Sequence, residues 1–414
     1  MVYKNVLSLF SGCGGMDIGM EGGFLCLKKS INETKHKDWI ESTIDYRVRL
    51  RDTGFKTVFA NDIRPDAKAA WVSYFKKKYD NAESIYRLGS IVDLVKSHYE
   101  GEQIFPENVD IVTGGFPCQD FSVAGKRLGF NSMKSHDGKT NIDKSEATVE
   151  NRGQLYIWMK EVVSIVKPKL FIAENVKGLV SLEDAKDIIE NDFSTAADNG
   201  YIVVPAKVLQ AADYGVPQSR ERIFFFGFKK EALTEEALDH LENYVQYSKY
   251  SPYPYPTHSK ELTLDFLDPY VTCEEAFVGL DEPDISEDIS QTKYSKAKYL
   301  AHGQGNREVN LKSISPTIRS EHHGNIEFRR LGLSNGGKNI DELKSGMNER
   351  RLTIRECARL QTFPDDYQFI LEKNGENCAV SASSAYKLIG NAVPCLLAYN
   401  IAMNLSEKWE LIFK

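Results

Sequence analysis

The feature that most restricts the fold is one local scheme used repeatedly: a short apolar run, a glycine or polar turn, then an amphipathic helical stretch. "NVLSLF" (5–10) leads through "SGCGG" into a helical pattern from Met16 to Met20. "KTVFAND" (56–62) leads into "RPDAKAAWVSYFKKKY", and "VDIVTGG" (109–115) runs into "FPCQDFSVAG". "GQLYIWMKEVVSIVK" reads as a helix followed by the strand "PKLFIAEN" (168–175). After a helix around 183–199 come the strands "YIVVPAKVLQA" (201–211) and "RIFFFGF" (222–228). Parallel neighbours need a crossover, and the crossover helices cover both faces of the sheet. The expected fold is therefore α/β, a doubly wound, mostly parallel sheet over residues 1–230, with ligand sites at the carboxyl ends of the strands.

From Lys229 to Leu343 the βα period is lost and the chain becomes rich in Tyr, Pro, Ser, Asp and Asn, so 231–343 is expected to form a smaller, irregular second domain. Helix returns with "TIRECARLQTF" (353–363) and "AVPCLLAYNIAMNLSEKWELIF" (392–413), which assigns 344–414 to the completion of the first domain. Segments 25–55 and 131–150 look inserted. No uninterrupted apolar run approaches the roughly 18 residues of a membrane span, so a cytoplasmic protein without a membrane partner is expected. The seven cysteines are scattered and lack C-x-x-C pairs, which points to free thiols in a reducing compartment rather than to disulfides or zinc. The net charge of −7 argues against a general nucleic-acid coat but leaves room for a local basic face.

The strand ends carry the candidate chemistry. The turn Phe10, Ser11, Gly12, Cys13, Gly14 follows strand one, where backbone can approach a ligand closely, although glycines also serve simple tight turns. Asp62 ends strand two, where an acid can accept hydrogen bonds from two ribose hydroxyls, so the pair favours an adenosine-containing cofactor. A free cysteine is by default a small buried hydrophobe. Cys118 instead ends a strand, is followed by the polar run "QDFS", and has Arg220 and Arg222 as candidate suppliers of the positive setting a thiolate needs. Glu174 closes a largely apolar strand, where burial favours the neutral acid; it is either a proton donor or a helix cap. None of the eight histidines sits in these strand-end motifs, which disfavours a cysteine protease. Methylation of a pyrimidine carbon fits: a thiolate adds to C6, an acid assists at N3, and C5 becomes nucleophilic toward a methyl donor.

At this point the sequence resembles the DNA (cytosine-5) methyltransferase family of the bacterial restriction–modification kind. The resemblance is carried, in order, by "LSLFSGCGGMDIG", "GGFPCQDFSVAGKRLGF", "AENVKGL", "DYGVPQSRERIFFFGF", "RRLTIRECARLQTFPDDY" and "YKLIGNAVPCLLAYNIA". It implies the S-adenosylmethionine-dependent methyltransferase fold, that cofactor, and double-stranded DNA as substrate, with the target base flipped out of the stack. Carried over residue by residue, Phe10 packs on the adenine, Asp62 binds the ribose and Ile63 covers the other face of the base. Ser11, Gly12, Gly14, Ser90, Ile91 and Ala392 complete the cofactor set. Pro117 orients the nucleophile Cys118, Glu174 contacts N3 and the exocyclic amine, Arg220 and Arg222 position the flipped base, and Asn391 closes the site near the cofactor.

The resemblance makes 231–343 the target recognition domain, with Arg319, Arg329 and Arg330 as readers of guanine edges or phosphates. Gln119, Ser122, Lys126 and Arg127 fall in the loop expected to close over DNA, which the insertion 131–150 lengthens. Where many members carry an acid for the adenine amino group, this chain has Ser90, with Asp93 as the alternative. The protein is expected to act as a monomer beside a cognate endonuclease on the same site. A transfer-RNA methyltransferase of the same fold is the nearest competing reading; the sizeable variable domain and the absence of a C-F-T tripeptide count against it. A silent DNA-binding relative would have no chemical reason to keep Cys118, Glu174, Arg220 and Arg222.

Overall fold

The structure, a computed structural model, describes residues 2–117, 155–181, 184–261, 266–302, 305–320, 326–373 and 378–414. Its centre is a seven-stranded sheet of β1 (Lys4–Leu9), β5 (Phe55–Asp62), β6 (Tyr86–Leu88), β7 (Ile111–Gly115), β8 (Leu170–Val176), β9 (Tyr201–Gln210) and β10 (Glu221–Lys229). The spatial order is β6-β5-β1-β7-β8-β10-β9. Neighbours from β6 to β8 run parallel, whereas β10 is antiparallel to both β8 and β9. The expected mostly parallel, doubly wound sheet is therefore present, with a reversed strand inserted near one edge.

Alternation along the strands feeds two separate cores. Val6 enters one apolar cluster and Leu7 and Leu9 the other; Phe224, Phe226 and Phe228 enter the first, while Ile223 and Phe225 enter the second. A sheet buried on both faces explains why "RIFFFGF" is apolar without a polar alternate. The strand order reverses at β1, where the crossovers turn to opposite faces, and this puts the carboxyl ends of β1, β5, β7 and β8 along one edge.

Segment 25–55, expected only as an insertion, contains a three-stranded antiparallel sheet of β2 (Leu25–Leu27), β3 (Ile40–Ile44) and β4 (Arg47–Leu50), with β4 in the middle. It is fastened from two sides. Trp39 Nε1 donates to Glu407 at 2.9 Å on the last helix, and the buried Asn32 amide donates to the carbonyls of Thr257 and Phe266 at 3.1 and 2.8 Å.

After β10 the helix Glu235–Glu242 and the tyrosines behind it still belong to the main body. Tyr253 is buried edge-on against Phe226 and donates to the Phe224 carbonyl at 3.1 Å. Between His258 and Arg351 the described residues form short pieces: His258–Ser259 pairs with Asp268–Pro269, and Phe328–Arg330 pairs with Arg350–Arg351. Ion pairs of buried arginines run through this region beside its apolar core. Arg350 meets Glu356 at 2.8 Å and Glu282 at 3.2 Å, while Glu282 also takes Arg330 at 2.5 Å. Two guanidinium groups hold the Glu282 carboxyl down at about 2 despite its partial burial.

The helix Ile354–Leu360 starts with a capping box in which Thr353 and Glu356 satisfy each other's backbone amides. The helices Ala382–Asn391 and Cys395–Ile412 follow, and the second packs against the helix Gly15–Glu21; the former was not foreseen as a helix. Together they are long and apolar enough to match a membrane span by composition, but 94% of the apolar window is buried inside the protein, as in a core helix.

Candidate active site

The turn after β1 is held by a chain of hydrogen bonds under it. Phe10 takes a left-handed backbone (φ 53°), which turns the chain out of the strand and leaves its ring half-buried. Ser11 Oγ donates to Ser8 Oγ at 2.9 Å and accepts from the Asn61 amide at 3.1 Å, tying β1 to β5. Ser8 Oγ in turn donates to Asp17 Oδ1 at 2.5 Å, and Trp71 Nε1 donates to Asp17 Oδ2 at 2.7 Å. Asp17 is fully buried, and burial pushes its carboxyl up to about 7. Sequence reasoning missed Asp17; the available signal was one acid inside the otherwise apolar helix "GMDIGM".

Gly12 and Gly14 both have positive φ, at 54° and 83°. At Gly14 a Cβ would lie 2.6 Å from the Trp71 ring, whereas at Gly12 it would meet nothing within 4 Å. Gly14 is thus required by packing, and Gly12 borders open space. Asp62 accepts from the Gly12 amide at 3.1 Å and from the Arg64 amide at 2.9 Å, so its carboxylate faces the glycine turn. Ile63, next along, is 40% exposed, a large apolar side chain without full cover. Ser90 is buried at the N-cap of the helix Ile91–Tyr99, with Ile91 buried behind it and Asp93 exposed. The Asn61 side chain holds this edge by donating to the carbonyls of Arg87 and Gly89.

β7 and β8 build the second part of the site. In register, Gly115 lies opposite Glu174, and a Cβ on Gly115 would stand 2.7 Å from Glu174 Oε2. The glycine therefore makes room for the carboxylate beside the strand that leads to Cys118. The Asn175 amide donates to the Phe116 carbonyl at 3.2 Å and so anchors the backbone immediately before the half-buried Pro117. Glu174 is 7% exposed and meets Arg222 Nε across β8 and β10 at 2.8 Å. Burial raises the Glu174 carboxyl above its ordinary range, while Arg222 and then Arg220 pull it back. Cys118, Gln119, Ser122, Lys126, Arg127 and the insertion 131–150 lie outside the described residues.

The two arginines of "QSRER" do different things. Arg222 is committed to Glu174. Arg220 is fully buried and joins two segments, donating to the carbonyls of Ile318 at 3.1 Å and of Gly390 and Ala392 at 2.8 Å each. It stands as a clamp between "PTIRS" and "GNAVP". Asn391 is exposed at the last position of its helix, next to that clamp.

The expected base readers separate in the same way. Arg330 is 1% exposed and paired with Glu282 and Glu342; Arg329 is paired with Glu342 at 2.7 Å. Both guanidinium groups are spent inside the protein in this structure and are not offered to a duplex. Arg319 is half-buried beside Gly390.

Comparison with known proteins agrees with this arrangement. A family model for C-5 cytosine-specific DNA methylase matches residues 4–407. The type II methyltransferase M.BspRI of Lysinibacillus sphaericus is 34% identical over 413 residues, covering 97% of this chain and 81% of that protein. M.HhaI of Haemophilus parahaemolyticus is 28% identical over 375 residues, covering 88% and 92%. Among solved structures, the Dnmt2 methyltransferase of S. pombe superposes with a TM-score of 0.51 at 17% identity, over 98% of this chain and 99% of that one, a likeness of fold alone. With a family match over nearly its whole length and its acid, arginine and glycine turn gathered at one sheet edge, the chain belongs to the C-5 cytosine-specific DNA methylase family.

Proposed function

We propose that this protein methylates C5 of one cytosine per strand within a fixed short sequence of duplex DNA, and that Cys118 and Glu174 carry the chemistry. The observation that supports this most is the pairing of Gly115 with Glu174, three residues before Cys118, with Arg222 behind the acid. A thiolate from Cys118 adds to C6, which moves electron density to C5. Glu174, its carboxyl raised by burial, holds a proton at N3 and stabilises the electron-rich ring. When bound, S-adenosylmethionine supplies the methyl group that C5 attacks. A base from solvent then takes the C5 proton, the C5–C6 double bond re-forms as the C6–sulfur bond breaks, Cys118 leaves as thiolate and the N3 proton returns to Glu174. Extrusion of the base from the stack costs a few kcal/mol, roughly, which the site must offset by contacts to the flipped nucleotide.

The residues present fit that cofactor. Gly12 borders open space, Asp62 faces it, and Ile63 is left uncovered beside them. Asp62 would take the ribose hydroxyls, with Phe10 and Ile63 on the two faces of the adenine, Ser11, Gly14, Ile91 and Pro117 shaping the cradle, and Asn391 and Ala392 closing it. Ser90, buried at its helix cap, is our choice over the exposed Asp93 for the adenine side. Gly12→Ala is expected to cost about 1 kcal/mol in stability, from positive φ alone. It should weaken binding of S-adenosylhomocysteine at least tenfold by titration calorimetry. Equal affinity would show that the open space is not the cofactor's.

We further propose that the recognition unit runs from about His258 to Leu343, since 231–257 packs on the sheet through Tyr253. The protein would act as a cytoplasmic monomer, guarding DNA from an endonuclease specific for the same sequence. Gln119, Ser122, Lys126 and Arg127 would contact the DNA. Bisulfite sequencing of DNA from cells producing the protein should reveal a single short motif with one protected cytosine per strand. Unmodified DNA from cells with abundant soluble protein would overturn the proposed activity.

A further inference from the structure

The strip 315–320, expected among the base or phosphate readers of the recognition domain, is built into the wall of the active site. The Ser315 amide donates to the Pro217 carbonyl at 3.0 Å, and the Ser219 amide donates back to Ser315 at 2.8 Å. The Ile318 amide donates to Gln218 Oε1 at 3.0 Å, and the Ile318 carbonyl accepts from Arg220 at 3.1 Å. Two residues beyond Arg220, Arg222 holds Glu174. On the other side, a Cβ on Gly390 would lie 2.4 Å from the Arg319 carbonyl, so Arg319 backbone is pressed against the turn that presents Asn391.

Within this wall Arg319 differs from Arg220, whose guanidinium is taken up by three carbonyls, and from the ion-paired arginines beyond it. Arg329, Arg330, Arg350, Arg355 and Arg359 each meet a carboxylate. Arg319 Nη1 is buried without a hydrogen-bond partner, and among the described residues no carboxylate forms an ion pair with its guanidinium, although its charge acts on the buried Glu327 carboxyl and opposes the rise that burial causes there. A buried donor left without an acceptor is costly, so its placement makes sense when an acceptor arrives from outside. The position decides which acceptor. A reader of base edges must project into the major groove, whereas Arg319 is fixed against the Gly390–Asn391 turn beside Arg220, on the wall that reaches Glu174 through Arg222. A guanidinium fork matches two phosphate oxygens.

We propose that Arg319 grips a phosphate flanking the target cytosine, so that one residue joins the recognition strip to placement of the base. This rests on the reading of Glu174 and Arg222 as the wall of the base pocket. The test is duplex binding in the presence of S-adenosylhomocysteine over a series of salt concentrations, with DNA containing the motif found by bisulfite sequencing. Arg319→Ala should raise Kd about 10- to 100-fold. It should flatten the log–log salt dependence by about one unit and shift the thermal midpoint by no more than a few degrees, because no internal hydrogen bond is lost and only the Glu327 carboxyl loses a neighbouring charge. Arg319→Lys should recover part of the affinity. A neutral methylphosphonate at one phosphate beside the target cytosine should weaken wild-type binding to the Arg319→Ala level and weaken that variant no further. Losses that add at every flanking phosphate, that follow one particular base pair, or that come with a lowered midpoint and unchanged affinity would each overturn the proposal. Because the readout is binding, a wild-type protein that binds but transfers no methyl group would refute the activity and not this contact.

Discussion

Cys118→Ala should lose methyl transfer by about four orders of magnitude or more, an effect of about 5.5 kcal/mol on the barrier, while cofactor affinity stays within a few-fold of wild type. The reason is that C5 of an intact cytosine ring is a poor nucleophile, and no other thiol of this chain can replace Cys118. Cys13, Cys26, Cys273, Cys357 and Cys395 are all buried, and the one exposed thiol among the described residues, Cys378, lies on the segment before the last two helices and not at the end of a strand of the central sheet. Burial pushes the Cys13 and Cys273 thiols up to about 12, the opposite of what a nucleophile needs. A duplex with 5-fluorocytosine at the target makes the experiment sharper. Fluorine cannot leave as a cation in place of the C5 proton, so the C6–sulfur bond should persist and the protein–DNA adduct should survive denaturing electrophoresis. Cys118→Ser should form no adduct; a full yield from that variant would move the nucleophile elsewhere.

Glu174→Gln should lower kcat by about 10²- to 10⁴-fold, with little change in cofactor binding, because the amide keeps the shape but cannot supply a proton at N3. The sign of the pH dependence follows from the site. Burial raises the Glu174 carboxyl, so the folded protein holds this proton more tightly than the unfolded chain does. Its contribution to stability is complete below the ordinary carboxyl value of 4.5 and is lost as pH rises through the raised value. Activity that needs the proton falls over the same upper limit. Arg222 meets Glu174 at 2.8 Å and opposes the rise, so Arg222→Met should move the alkaline limb of kcat/KM to higher pH. A limb that stays in place, or moves down, would remove Glu174 as the titrating group.

Much of this site was legible in the sequence, for an identifiable reason. Strand-end positions such as Asp62 and Glu174 follow from the βα period alone, since the end of an apolar run marks the sheet edge. The antiparallel β10 was not legible, because a strand buried on both faces reads the same in either direction. The sheet within 25–50 was missed because β3 is exposed over most of its length, with only Ile40 half-buried, and its sequence "IESTI" carries no clear alternation. The roles of arginines were the least legible. Arg319, Arg329 and Arg330 look alike in "SPTIRSEHHGNIEFRR", and only three-dimensional placement separates two spent on glutamates from one that is not. The same holds for Arg220, whose three carbonyl partners come from loops 98 to 172 residues away.

The stitching of 315–320 to 217–220 bears on how such a protein could acquire a new target sequence. If the variable region were exchanged between relatives as a cassette, a crossover placed inside either strip would leave backbone amides and carbonyls of Pro217, Ser219 and Ser315 without partners. Each such loss costs about 1–3 kcal/mol when the group is buried, a large share of a marginal fold. Viable recombinants should therefore inherit both strips from one parent, so that new specificities arise around a fixed seam rather than across it.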